Sequence, residues 1–167
     1  MRRFSSASVV GFVSLVWLVA SEASAGSEGA IKIPRIVPYS SEASVSENVR
    51  RECTDLGTKL AASLHQYAGK YGVPTVVVDE SGPTALGRVF HVEITNVFSA
   101  GNAFIGHRKS MAARGELFVN GVPKGTVDFT RNSGGGFGGG FKGSCSVLAR
   151  CTKTLGNDFA KWLEKHQ

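Results

Sequence analysis

The chain has 167 residues, a net charge of +6 at neutral pH and three cysteines. This length fits a single domain of ordinary size. The basic residues are scattered rather than gathered in one block, which predicts a mildly cationic surface and argues against a nucleic-acid-binding arm.

Residues 1–25 have the layout of a secretory signal peptide. A positive start (Arg2, Arg3) precedes an apolar segment (residues 9–20), and small residues predict cleavage after Ala25. The apolar segment is shorter than the roughly 20 residues of a membrane-spanning helix. Paired arginines also occur in twin-arginine signals, but the serines after them fit that pattern poorly. No cysteine occurs at the cleavage site, which argues against a lipid anchor. We therefore expect a periplasmic or secreted protein without a transmembrane segment.

The first elements of the domain expected over residues 26–167 are a strand and a helix. Residues 31–40 are apolar enough for a strand, and its prolines, Pro34 and Pro38, remove donors from one side, which predicts an edge strand. Over residues 44–71 the apolar residues recur every three or four positions, which predicts one long amphipathic helix. Ser44 and Glu47 match a capping box at its start.

Four strands are predicted next. Residues 74–80 form a β-branched run typical of a buried strand. In residues 88–98 apolar and polar residues alternate, and residues 104–119 continue this alternation after a turn near Gly101. The glycines and proline of residues 120–125 predict a second hairpin, followed by a strand over 126–130.

The chain closes with a second amphipathic helix over residues 145–166. The predicted element order is therefore βαββββα. Its simplest packing is a two-layer α+β sandwich, in which a mostly antiparallel sheet carries both helices on its apolar face.

Three cysteines in an exported chain predict one disulfide and one free thiol. If the strands that follow the first helix alternate in direction, the two helices are antiparallel. Cys53 and Cys151, each near the start of a helix, then lie too far apart to bond. The sequence therefore predicts a Cys145–Cys151 disulfide at an irregular start of the last helix, and Cys53 as a buried thiol.

Residue types with catalytic or metal-binding chemistry are present, but their spacing predicts no such site. The histidines have no metal-ligand spacing, and no nucleophile-elbow serine motif occurs. Cys53 lies on the predicted apolar stripe, where a thiol has a raised pKa, and His65 is several helical turns away. We expect no catalytic residue, no metal and no cofactor.

The polar side of the predicted sheet is a candidate binding face. It mixes hydrogen-bond donors and acceptors, which suits either cross-strand pairing on a wet surface or binding of a protein or polar polymer. Its candidate residues are His91, Glu93, Arg108, Arg114, Glu116 and Asp128.

The segment 132–145, NSGGGFGGGFKGSC, is the most glycine-rich part of the chain. Its lysine precedes the last glycine, so it does not match a nucleotide-binding loop. It is also too short and too rich in glycine for a membrane helix. The segment predicts a hinge before the last helix, with a candidate anion site at Lys142, Gly143 and Ser144, where the helix begins.

The element order, the signal peptide and the segment GGGFGGGFKGSCSVLARCTKTLGNDFAKWL resemble a group of small bacterial envelope proteins, domain of unknown function number 4410. The resemblance covers about residues 31–166. It implies an envelope protein and supplies no catalytic residues. Members of that group are often lipoproteins, whereas this chain lacks the lipid-anchor cysteine.

These patterns lead to one main functional hypothesis, an exported, non-enzymatic periplasmic protein with a binding or structural role. Its partner would be another envelope protein or an anionic polymer, with no nucleic acid involved. Two alternatives are a periplasmic hydrolase of unrecognised type, and a secreted effector or inhibitor that acts on anionic envelope polymers.

Overall fold

The computed structural model describes residues 29–79, 82–100, 108–134 and 143–167. In these residues six strands form one sheet, and three helices accompany it. The strands are β1 (Ile31–Pro34), β2 (Tyr39–Val45), β3 (Thr75–Val78), β4 (Arg88–Ala100), β5 (Arg108–Val119) and β6 (Val122–Ser133). The helices are α1 (Glu47–Glu52), α2 (Leu56–Lys70) and α3 (Ser144–Glu164).

The two-layer α+β prediction is confirmed, since α2 and α3 pack side by side on one face of the sheet. The inner face of β4 and β5 is apolar because the predicted alternation turns every second residue inward. The buried residues of these strands include Phe90, Val92, Ile94, Met111, Ala113 and Leu117. From the helices they meet Leu60, Leu64, Leu155 and Phe159, among others.

The prediction of an edge strand at residues 31–40 is wrong. β1 lies between β3 and β4, and both of its isoleucines are fully buried. The N–H groups of Ile31 and Arg35 face the β3 side, so the donor that Pro34 lacks falls on the β4 side. The missing donor coincides with a break in the pairing with β4. The pairing resumes in β2, where Tyr39 lies opposite Ile94.

The prediction of one helix over residues 44–71 is also wrong, because α1 and α2 are separated at residues 53–55. The first helix begins after Ser46, since Ser44 still pairs with β4. Cys53 ends α1 with a non-helical backbone, φ −109° and ψ 57°. Val49, Cys53 and Leu56 are all buried, so the apolar spacing runs through the break and hides it.

The strand predicted to be buried at residues 74–80 is instead the short edge strand β3. Val76 is 37% exposed, and among the described strands β3 pairs only with β1. By contrast, the second predicted hairpin is confirmed as a tight turn. Asn120 and Gly121 have φ values of 51° and 78°, the left-handed pair of a two-residue hairpin.

Strand directions decide how the helices lie. β1 is parallel to both β3 and β4, so β3 and β4 point the same way and do not alternate in direction as expected. Because β4, β5 and β6 then alternate in direction, α3 starts at the same end of the sheet as α2. The two helices are therefore parallel. They pack tightly at Gly156, where an added Cβ atom would lie 2.6 Å from the Cβ of Ser63.

The predicted Cys145–Cys151 disulfide is wrong, because the bond joins Cys53 to Cys145. The prediction assumed antiparallel helices, whose amino ends would lie at opposite ends of the sandwich. Parallel helices bring the two residues together, with a Cα–Cα distance of 5.2 Å. Cys151 is the buried free thiol on the apolar side of α3. Burial raises its pKa, which keeps the unreactive thiol form dominant.

Candidate functional site

The outer face of the sheet carries the polar residues predicted to form a binding surface. The register places His91 opposite Glu116, Glu93 opposite Arg114, and Arg114 opposite Asp128. These five residues are called the polar face below. Cross-strand neighbours on one face lie about 5 Å apart at their Cβ atoms, so the structure brings the five together as one cluster.

The polar face is organised around Arg114. Its Nε donates a hydrogen bond to Asp128 Oδ1 at 2.9 Å, and both side chains are largely exposed. This hydrogen bond is the main reason that the pKa of Arg114 is raised, and the nearby Glu116 and Glu93 add to it. His91 Nε2 lies 3.4 Å from Glu93 Oε1. The cluster therefore holds one permanent positive charge among three carboxylates.

A shallow depression lies beside Arg114, where the polar face meets β2. Glu93, Arg114 and Asp128 contribute from the polar face; the other lining residues that the structure describes are Ser40, Ser41, Glu42 and Thr95. Carboxylate and hydroxyl oxygens outnumber the donors, so this depression suits a partner that presents N–H or ammonium groups.

Arg108 lies on the same side of the sheet as the polar face but outside the cluster. It pairs with Ala100 at the far end of β5. Six residues separate it from Arg114, about 20 Å at 3.3 Å per residue. One ligand of small size cannot touch both arginines. Arg108 belongs to a second part of the outer face, next to Phe98, which is 50% exposed.

The predicted anion site lies only partly within the described residues. Lys142 lies outside them, as do the glycines and phenylalanines of residues 135–141. Gly143 is the N-cap of α3 and Ser144 is its first residue, and the glycine has no side chain that could cap the first N–H groups. The first turn of α3 therefore presents the positive end of the helix dipole without a cap from its own N-cap residue.

A cavity of about 330 Å³ next to the start of α3 contains a residue that sequence reasoning missed, Lys109. Lys109 is only 2% exposed, and burial lowers the pKa of its ammonium group. A local signal existed, because Lys109 has the same inward position in β5 as Met111 and Ala113. The described residues that line the cavity are Ser46, Asn48, Val49, Glu52, Cys53, Ser99, Lys109 and Ser144.

The part of the chain that the structure describes offers neither a metal-binding cluster nor a membrane-spanning helix. In that part of the chain no cluster of three or more His, Cys, Asp or Glu residues could hold a metal ion. None of the helices found there is long and apolar enough to cross a membrane.

The fold and these surfaces define a two-layer α+β protein with helices on one sheet face and polar residues on the other. No protein-family model and no curated protein matches the chain. Several solved structures are similar at low identity. A PelC dodecamer from Paraburkholderia phytofirmans has a TM-score of 0.48 and 14% identity, covering 77% of this chain and 86% of that one.

Two lipoproteins are also similar. A minor lipoprotein from Acinetobacter baumannii has a TM-score of 0.45 and 9% identity, covering 83% of this chain and 94% of that one. Lipoprotein GNA1162 from Neisseria meningitidis has a TM-score of 0.46 and 11% identity, covering 79% and 99%. These values are too low to transfer a function, so functional inference depends on the residues of this chain.

Proposed function

We propose that the protein is an exported, non-enzymatic binding protein of the bacterial cell envelope, and that it engages another envelope protein through the polar face. The export signal in residues 1–25 and the Cys53–Cys145 disulfide support an extracytoplasmic location, because disulfides persist in oxidising compartments. We also propose that the chain is related to the domain of unknown function number 4410, which it resembles in sequence.

One observation carries the binding role, the cluster of charged residues on the outer sheet face. Helices cover the other face, whereas the residues of the polar face stay at least partly exposed. Exposed ion pairs such as Arg114–Asp128 contribute little to stability, so folding alone gives weak reason for this arrangement. A partner that supplies lysine or arginine side chains would meet the carboxylates of Glu42, Glu93 and Asp128 around the depression.

The test is a photocrosslinker placed at one of two positions in the exported protein. At Ser41, beside the depression, we expect one defined envelope protein to be captured in the native host. The double variant Glu42→Gln, Glu93→Gln should weaken this capture, whereas Glu164→Gln, on the exposed side of α3, should not. A crosslinker at Lys153 in the helical layer is the matched control. Equal capture from both positions contradicts the proposal.

The net charge of +6 favours a second candidate, attraction to an anionic envelope polymer or lipid surface. Retention on anionic vesicles or cell-wall polymer that disappears at high salt would support it. In that case the Glu42→Gln, Glu93→Gln variant should bind more strongly, because it removes two negative charges. The same variant therefore separates the two candidates by the sign of its effect.

A further inference from the structure

The cavity at the start of α3 contains a buried positive charge. Lys109 sits on the inner face of β5, opposite Ser99 of β4, and is 2% exposed. A charged group without a counter-charge is costly to bury. Among the residues that the structure describes, Lys109 pairs with no carboxylate, and its Nζ donates a hydrogen bond to the carbonyl oxygen of Ala100 at 3.2 Å. An ammonium has three donors, and the carbonyl oxygen of Ala100 accepts from one of them.

The start of α3 adds a second source of positive potential at the same place. Ser144, the first residue of the helix, lines the cavity together with Lys109. Its N-cap residue, Gly143, has no side chain to cap the first N–H groups of this 21-residue helix, and such N–H groups attract anions. The hydroxyl groups of Ser46 and Ser99 and the amide of Asn48 add further hydrogen-bonding groups to the wall.

We propose that this cavity is a binding site for a small oxyanion-bearing ligand, a carboxylate or a phosphate, whose oxygens accept hydrogen bonds from Lys109. The site is distinct from the polar face, which lies on the other side of the sheet. It differs from the anion site expected from the sequence because Lys109, rather than Lys142, supplies the charge. The volume of about 330 Å³ accommodates a small metabolite.

The disulfide holds two walls of this site in position. Cys53 ends α1 and lines the cavity, and its partner Cys145 follows Ser144 in the first turn of α3. The bond therefore fixes the helix start relative to α1 and to the lysine on β5. Glu52 is exposed and also lines the cavity. Its carboxylate repels an incoming anion, so it weakens binding of simple ions and limits which ligands can enter.

The main experiment compares the protein, disulfide intact, with Lys109→Met. Acetate and phosphate are titrated separately against chloride at constant ionic strength, and amide NMR shifts of Ser99, Ser144 and Cys145 are followed. We expect saturable shifts with at least one ion, and at least a tenfold loss of affinity in Lys109→Met. Lys124→Met, at the exposed hairpin, removes the same charge and should bind as the unaltered protein does. Preference for acetate assigns a carboxylate ligand, and preference for phosphate assigns a phosphate.

Two further measurements keep the test independent of how well Lys109→Met folds. In the unaltered protein, the side-chain Nζ and Cε resonances of Lys109 should shift along with the amides. Glu52→Gln should bind either ion several-fold more tightly, because it removes a like charge. No saturable shift with either ion, or equal binding by Lys109→Met, would overturn the proposal and leave Lys109 as a structural buried lysine.

Discussion

The two ends of α3 are held in different ways. Its last two turns close an aromatic cluster, in which Phe159 meets Phe90 and Phe129 edge to face, with centroids 5.6 and 5.3 Å apart. Trp162 stacks on Phe90 at 5.7 Å. The first turn is held by the Cys53–Cys145 bond beside a polar cavity with a buried lysine. One end is fixed by complementary packing, and the other by a covalent bond around space that side chains leave unfilled.

Glycines at the aromatic end show how closely that packing is fitted. A Cβ atom on Gly115 would lie 2.3 Å from the ring of Phe90, and one on Gly125 would lie 3.0 Å from Trp162. The sheet therefore lacks side chains where the rings lie against it. The comparison indicates that the aromatic end contributes stability, whereas the disulfide end can give up packing in favour of binding.

Phe159→Ala should have the largest effect, because it empties the centre of the aromatic end. Phe159 is fully buried, and truncation of such a residue costs about 4 kcal/mol in the free energy of unfolding. Urea denaturation measures this loss. Phe98→Ala, on the outer face, is the matched control and should change stability by less than about 1 kcal/mol. Equal losses in the two variants would mean that the aromatic end is not a packed core.

Removal of the disulfide by the double variant Cys53→Ala, Cys145→Ala should cost about 3 kcal/mol, because the bond closes a long loop, with a sequence separation of 92. The variant should also lose the anion response. Cys151→Ala is the control, since it removes the free thiol and leaves the bond in place. Peptide mapping without reduction should recover Cys53 linked to Cys145. A fragment that links Cys145 to Cys151 would contradict the parallel helix arrangement.

Lys109→Met should change stability in the opposite direction. It replaces a buried ammonium by an apolar chain of similar shape, so the free energy of unfolding at neutral pH should rise by about 1 kcal/mol. Burial lowers the pKa of Lys109 below the value of about 10.4 expected when unfolded. Between these two pKa values the unfolded chain binds more protons, so stability of the lysine-containing protein rises with pH.

The gap in stability between the two proteins should therefore narrow as the pH increases toward about 10.4. Cys151, whose raised pKa makes stability fall with pH above its unfolded value, is present in both proteins, and its contribution cancels in the difference. Calorimetry at several pH values measures the gap. A gap that widens with pH would show that the ammonium is stabilised in the fold, contrary to the binding-site interpretation.

His166→Ala should have the smallest effect. His166 stacks on Trp162 at 3.9 Å, but it lies at the exposed end of the aromatic cluster. Surface substitutions of this kind change the free energy of unfolding by about 0.5 kcal/mol. The thermal midpoint should move by a few degrees at most. If His166→Ala lost as much free energy of unfolding as Phe159→Ala, the packing energy of the aromatic cluster would be concentrated near the end of the chain.

The outer-face cluster could be predicted because it depends on a local pattern. Alternation in β4 and β5 assigned His91, Glu93, Arg114 and Glu116 to one face, and the structure places them there. Lys109 was missed although the same alternation turned it inward. A lysine at an inward position near a strand end can also reach water, so only the surrounding elements decide whether it is buried.

The break between α1 and α2 could not be predicted from the spacing of apolar residues. Val49, Cys53 and Leu56 keep the helical spacing across a non-helical residue, because all three still face the core. The residue at the break, Cys53, is bonded to Cys145 in a distant part of the chain. The proline positions likewise indicated where β1 loses donors, but not which strand would lie beside it.

The sequence by itself determined the α+β class, the inner and outer faces of β4 and β5, and the last helix, because each depends on residues close together in the chain. The tertiary structure alone decided the direction of β4. The connection between Val78 and Arg88 is long enough either to turn back or to cross β1, and local residues do not distinguish these routes. Because it crosses, the helices are parallel, Cys53 meets Cys145, and the cavity with Lys109 forms beside them.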